Sequence, residues 1–280
     1  PAPAHRAAER WIFQVELTAT GTGDQPVFVP RPEQIAGGDP SDQTERRRLA
    51  MAYRFHPEFA VGHGTAVDAE QATDDPMRAH TIRTRAVPEY EVPFTDVPTV
   101  ERDPDLPELA RVELDMKKLA ELAEGPVEAL TAALRPLADG YRAWIDRNEA
   151  TTADPGRHLA GYAREAAEAL ADARRAADRI EQGIQLLAED ETARRAFGFA
   201  NRAMYLQRVH SITAADRREH PDKPLDAAVN DAENPKNHSW RPFQLAFVLL
   251  NLPALADPRH PDRGDDDRAT ADLLWFPTGG

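Results

Sequence analysis

An α+β fold is what this sequence predicts. A β-rich N-terminal region covers residues 1–103, an antiparallel helical bundle 104–212, a linker 213–238, and a closing helix and strand 239–280. Three observations carry it. Near the start, Trp11, Phe13, Val15 and Leu17 alternate with Gln14, Glu16 and Thr18, the period of a half-buried strand. From Leu109 to Leu187 apolar residues recur at spacings of three and four, the period of helices that each bury one stripe. Leu245–Leu250 and Leu273–Phe276 then read as part of an all-round apolar helix and as a short buried strand.

Composition bounds the reading. The 280 residues suffice for one large domain or a few small ones, and an apolar content of 41% supplies a real core. A formal net charge of −14 has the wrong sign for a surface whose main work is holding nucleic acid, although it leaves room for a DNA channel elsewhere in a longer protein. The absence of cysteine excludes disulfides, thiol nucleophiles and cysteine–zinc sites. No apolar run approaches membrane length and no basic-then-apolar leader is present, so a cytoplasmic protein with no membrane contact is expected. The chain opens at Pro1 and stops inside a motif, which reads as a piece of a longer protein.

Within the β-rich region, Gly21 and Gly23 make a turn and Val27–Val29 continue as a partner strand. Thr44–Tyr53 is a short helix whose Arg46, Arg47 and Arg48 read as a solvated or acid-paired face rather than a phosphate contact. Phe55–Val67 looks like a strand pair around Gly62-His63-Gly64, where the glycines point to backbone geometry before any role for His63 as a base or anion contact. Residues 80–94 look extended, with Pro88 and Pro93 at a sheet edge; Glu89 and Glu91 share a face and read as edge charges rather than a carboxylate pair.

In the helical region, Leu109, Val112, Met116, Leu119 and Ala123 form one stripe, and Gly125-Pro126 divides it from the next. Val127, Leu130, Leu134, Leu137, Tyr141 and Trp144 repeat the spacing, with Pro136 expected to bend the helix. Asp154-Pro155 is expected to cap a long helix whose stripe runs from Leu159 through Leu170, Ile180 and Ile184 to Leu187. Leu134, Trp144, Leu170, Ile180 and Ile184 should all be buried. Thr192–Ser211 carries two apolar faces, Phe197/Ala200/Met204 and Phe199/Ala203/Leu206, and so should lie between layers. Its Asn201, Arg202 and Gln207 either contact a nucleotide or DNA, or satisfy local backbone. Residues 213–238 and 251–270 read as polar, Pro-rich loops, the acidic triplet Asp265-Asp266-Asp267 included.

The chemistry gathers at the end. Ser239 can cap a helix that tolerates Pro242 in its first turn. Arg241 and Gln244 are then the polar groups at its start, with Trp240 or Phe243 at hand to stack on a base. A Gln carboxamide offers one donor and one acceptor, which matches the N6/N7 edge of adenine. Leu273–Phe276 leads into Pro277-Thr278-Gly279-Gly280, an ordinary turn sequence and also the way a phosphate-binding loop opens, with glycine N–H groups closing on phosphate oxygens.

Arg241-Pro242-Phe243-Gln244 followed by a strand and Pro-Thr-Gly-Gly resembles the Q motif and the start of motif I of superfamily 2 helicases. Longer phrases are similar to the helicase-like proteins of the DISARM anti-phage system: Glu58 to Gly64, Phe197 to Met204, Trp240 to Phe247 and Asp272 to Gly280. The one departure from the general motif is Phe276, where Gly or Ala is usual. The resemblance implies that residues 239–280 begin a RecA-like α/β domain. It also implies an ATP-dependent DNA helicase or translocase acting in anti-phage defence, with ATP and Mg²⁺ as cofactors, DNA as substrate and a partner subunit. Arg241, Phe243, Gln244, Thr278, Gly279 and Gly280 would be its nucleotide contacts, and no catalytic residue falls within this chain. The alternative is a non-catalytic interaction or gating module.

Overall fold

The computed structural model describes residues 15–32, 39–89, 97–99, 102–104, 106–264 and 269–273. The chain divides into two compact units, residues 1–94 with 153–166, and residues 95–152 with 167–280. The α+β class is as expected: a small antiparallel sheet in the first unit and a helical bundle in the second.

The sheet has three strands, β1 (Thr18–Thr20), β2 (Ala66–Gln71) and β3 (Ala79–Arg85), in the order β1-β3-β2. Ala19 faces Ile82 on one side of β3 and Ala69 faces Ile82 on the other, with an irregularity between Glu70 and Gln71. Val27–Val29 contributes one bridge, Phe28 to Ala79, rather than a full strand. The strand pair expected over Phe55–Val67 is not there. Residues 53–64 are irregular, because Gly62 packs so tightly that a Cβ would lie 2.2 Å from the Thr65 carbonyl oxygen, and Gly64 takes φ +71°. Helix α1 (Pro40–Ala52) is capped by Asp39, whose carboxylate accepts from the Ser41 and Asp42 N–H groups. Its Arg47 clasps the buried carboxylate of Glu165 and lies over the Tyr162 ring, the acid-paired reading of the arginine run.

The bundle is built from α2 (Met116–Glu124), α3 (Val127–Ala150), α4 (Ala163–Glu189), α5 (Glu191–Glu219), α6 (Leu225–Ala232) and α7 (Pro242–Ala256). The first residues of α4 belong to the sheet unit. The three-four stripes converge on one core: Leu119 and Ala123 from α2, Leu130, Leu134 and Leu137 from α3, Ile180, Ile184 and Leu187 from α4, Phe197 from α5, and Leu245 and Leu249 from α7. At one crossing no side chain separates two helices: a Cβ on Gly183 of α4 would lie 2.0 Å from the Leu249 carbonyl oxygen of α7.

Several local expectations need correcting. Trp144 is exposed and stacks on Tyr141, while Ile145 takes the core position, because the helix continues through Pro136 with its buried face at 134, 137, 138 and 145. Leu170 is only half-buried. Asp154 caps a short 3-10 turn rather than the long helix, and α4 starts at Ala163, since His158 adopts a left-handed conformation that breaks the path. The expected loop over 213–238 is largely helical: α5 runs to Glu219, and Lys223 ties Asp216 to Asp231 before and within α6. Helix α7 likewise extends to Ala256 through Pro253, six residues into the loop expected over 251–270. Helix α5 buries one face only, leaving Phe199 75% exposed. Leu273, where a buried strand was expected to begin, is exposed and in no strand; residues 274–280, with Thr278, Gly279 and Gly280, lie outside the described residues.

Candidate functional site

The start of α7 is held from behind by a stretch that the spacing arguments passed over. Asn234 caps a 3-10 turn, and the chain then crosses residues 114–116 as a short antiparallel bridge. The Trp240 N–H donates to the Leu114 carbonyl (2.8 Å), and the Met116 N–H donates to that of His238 (3.0 Å). The His238 ring is 2% exposed, with Nδ1 3.1 Å from Asp115 Oδ1 and the Tyr205 ring edge-on at 4.9 Å; its Nε2 is buried without a partner. Asp115 also caps α2 through the Lys117 N–H (2.8 Å). Around this pair, Glu233 accepts from the Tyr205 hydroxyl (2.7 Å) and from the Lys117 ammonium. Lys117 and then Tyr205 hold the Glu233 carboxyl below its ordinary range, and Glu233 raises the Lys117 ammonium in turn. Burial, followed by the bond to Glu233, pushes the Tyr205 phenol up.

Two further contacts set the register of α7. The Trp240 indole N–H donates to Asn201 Oδ1 (2.8 Å), and the Asn201 amide donates to the Phe197 carbonyl (2.9 Å). Asn201, 1% exposed, therefore satisfies local groups, which settles its two readings in favour of structure. Trp240 packs against the core, so it is not placed to stack on a base. Leu245 and Leu249 are fully buried on the same helix.

With that backing, Arg241, Phe243 and Gln244 come together in one turn. Arg241, not Ser239, is the N-cap residue, and Pro242 takes the first helical position. Gln244 sits at the third position and its Oε1 accepts the Arg241 N–H at 3.0 Å, the return half of a capping box. Arg241 is exposed, and Phe243 and Gln244 are half-buried. The Gln244 carboxamide keeps one lone pair on Oε1 and an Nε2 donor that has no partner among the described residues. It can thus read a donor–acceptor edge while still capping the helix. Further along, Arg179 of α4 holds Asp272 through two 2.7 Å bonds and Asp262 at 3.3 Å, fixing the segment that enters Leu273. The bonds to Asp272 raise the Arg179 guanidinium further above its ordinary value.

The remaining candidates fall away from this site. His63 is exposed on the Gly62–Gly64 bend. Arg202 pairs with Glu124 at 2.9 Å, and Gln207 with Ser211 at 3.0 Å. Glu91 and Asp265–Asp267 lie outside the described residues, and no group of three metal-ligating side chains occurs among the described ones. The sequence reasoning missed Asp115, His238, Glu233 and Lys117. Asp115 and His238 stand 123 positions apart, so no local spacing records them.

No family model matches the chain. It is 34% identical over 274 residues to the DISARM protein DrmA of Bacillus paralicheniformis, an alignment that takes in 96% of this chain and 21% of that protein. The chain thus spans about a fifth of the length of the curated relative it matches, and the similarity runs through the bundle and the start of α7 alike. No helix among the described residues is long and apolar enough to cross a membrane.

Proposed function

We propose that this chain is the N-terminal part of an ATP-dependent DNA helicase or translocase of anti-phage defence. In this reading α7 opens the RecA-like motor domain, and Gln244 reads the adenine base. The observation that carries the reading is the capping geometry of Gln244, a carboxamide held in place by the Arg241 N–H with its Nε2 donor uncommitted. The 34% identity to a DISARM protein along nearly the whole chain supports the biological setting of anti-phage defence, in which the protein would work in the cytoplasm with a partner subunit.

The residues present fit the base end of the nucleotide. Gln244 would accept from and donate to the adenine edge, Phe243 would lie beside it, and exposed Arg241 would add positive charge. When bound, ATP with Mg²⁺ supplies the phosphoryl-transfer chemistry that drives translocation. Thr278, Gly279 and Gly280 would contribute the opening of the phosphate cradle. The lysine and carboxylates of such a site would follow this chain, so the chain alone is expected to be inactive.

The test is base discrimination in the longer protein. Gln244→Ala should weaken adenine nucleotides roughly tenfold while leaving phosphate-analogue binding little changed, since the base contacts, worth about 1 kcal/mol each, are lost together with the local cap on the Arg241 N–H. Turnover of ATP and GTP is compared in the two proteins. A variant that discriminates as well as the wild type removes Gln244 as the adenine reader and leaves a helix cap. A reading frame that does not continue Gly-Lys-Thr or Gly-Lys-Ser after Gly280 removes the motor altogether. The net charge of −14 and the uncovered face of α5 favour the second reading, a non-catalytic interaction module.

A further inference from the structure

Helix α5 has two apolar faces but only one is used. Phe197, Gly198, Asn201, Val209 and Thr213 are buried. On the opposite side Ala196, Phe199, Ala200, Ala203, Met204 and Leu206 are exposed, with Phe199 at 75%, Leu206 at 41% and Met204 at 39%. At 100° per residue these six span less than half the circumference, and from 196 to 206 nothing polar interrupts them. The three alanines make a flat track about 10 Å long. Phe199 and Leu206 stand on one side of it and Met204 on the other. A flat track between raised side chains is the surface that a second helix packs into at close axial distance.

One edge of the track carries more arginine than acid. Arg195 and Arg202 lie seven residues, two turns, apart along the Phe199 side, in a cleft lined also by Arg194, Glu124 and Glu191; Arg202 is paired with Glu124, whereas Arg195 has no ion-pair partner among the described residues. In a chain with 48 acidic and 34 basic residues, an arginine left over beside an uncovered apolar track marks where an outside carboxylate belongs. Beneath it an open cleft runs past Gly125 and Gly198, the latter flat because Ala123 packs against it.

We propose that this face of α5 seats an amphipathic α-helix with an acidic edge, supplied by the polypeptide beyond these 280 residues. The inference rests on the reading of the chain as part of a longer protein. The source follows from length: the matched relative is about five times longer than the matched stretch, which leaves ample chain to return across α5.

The chain has no cysteine, so a single one reports cleanly. Ala203→Cys is placed in the 280-residue chain and in the longer protein, and maleimide modification of its peptide is followed by mass spectrometry, with Glu128→Cys as an exposed reference. Ala203→Cys should react at least tenfold more slowly in the longer protein, relative to the reference. Adding Arg195→Glu should restore much of the lost rate. Equal rates in both proteins overturn the proposal. Protection that appears only when a separate protein or DNA is added also overturns it, because the occupant is then not this polypeptide. ATP turnover of the same longer protein is read separately: an inactive protein that still shields residue 203 sinks the motor and not the docking.

Discussion

The two units of this chain are held together in different ways. In the bundle, thirteen buried apolar residues from five helices and one loop form a continuous cluster, and the apolar stripes that supply it lie in plain three-four spacing. In the sheet unit the buried apolar side chains among the described residues are Phe59, Ala72, Ala79 and Ala166. That unit relies on backbone pairing, on Thr20 bonded to Thr81 across the sheet, and on exposed ion pairs such as Arg83 with Asp68 and Arg31 with Glu58. Burial of large apolar groups is the dominant favourable term in folding, whereas exposed ion pairs contribute little. The bundle should therefore resist denaturant and salt, and the sheet unit should yield first to both.

The sharpest way to break this contrast is Gly183→Ala. The added methyl group meets the Leu249 backbone, which cannot rotate away, so α4 and α7 must separate and the surrounding core opens. The expected loss is about 3 kcal/mol of bundle stability by urea denaturation, with the sheet unit's transition unmoved. A loss under about 1 kcal/mol would show a core far more compliant than its packing implies.

Asn201→Leu comes next. It strands the Trp240 indole N–H and removes the bond to the Phe197 carbonyl, at a cost of about 2 kcal/mol. Because Trp240 precedes the first turn of α7, its fluorescence should shift with the variant. An unchanged spectrum and stability would mean the bridge at residues 238–240 holds α7 unaided.

Titration sharpens the contrast within the bundle. The Glu233 carboxyl lies below its ordinary 4.5, so its contribution is complete above that value and is lost as acid carries the pH through the folded value. The Lys117 ammonium lies above its ordinary 10.5, so its contribution is complete below that value and is lost as base carries the pH through the folded one. Between about pH 5 and 10 the pair adds a constant amount. Lys117→Met should raise the acid midpoint of bundle unfolding; an unmoved midpoint would remove Glu233 from the acid transition.

The smallest effect is expected in the sheet. Arg83 and Asp68 are both partly exposed, so Arg83→Met should cost about 0.5 kcal/mol in low salt and nothing measurable in 1 M salt. A cost that persists in high salt would place the pair in a less solvated setting than its exposure suggests.

How legible each part was follows from the same contrast. Leu119, Leu134, Ile184 and Leu249 announced the bundle because a helix buries every third or fourth residue and the sequence repeats that interval. The sheet strands, rich in Thr, Ala and Arg, announced less: β3 falls on the start of the segment read as extended from residue 80, whereas β2 begins only at the end of the strand pair expected over 55–67. In the candidate site, Arg241, Phe243 and Gln244 were legible as a helix start because Pro and Gln at that spacing have local reasons. The network behind them was not, because Asp115 meets His238, and Lys117 meets Glu233, only through the tertiary fold.

That antiparallel bridge also carries a consequence for the order of events during folding. It joins segments 123 residues apart, and closing so long a loop in an unstructured chain costs on the order of 4 kcal/mol in entropy before any contact repays it. Helices α2 to α5 can form first from nearby contacts and draw the two segments together, so the bridge closes cheaply only after them. The first turn of α7 then takes its final place late. On a ribosome, this means that residues 241–244 settle into their capped first turn only once the preceding hundred or so residues have already folded behind them.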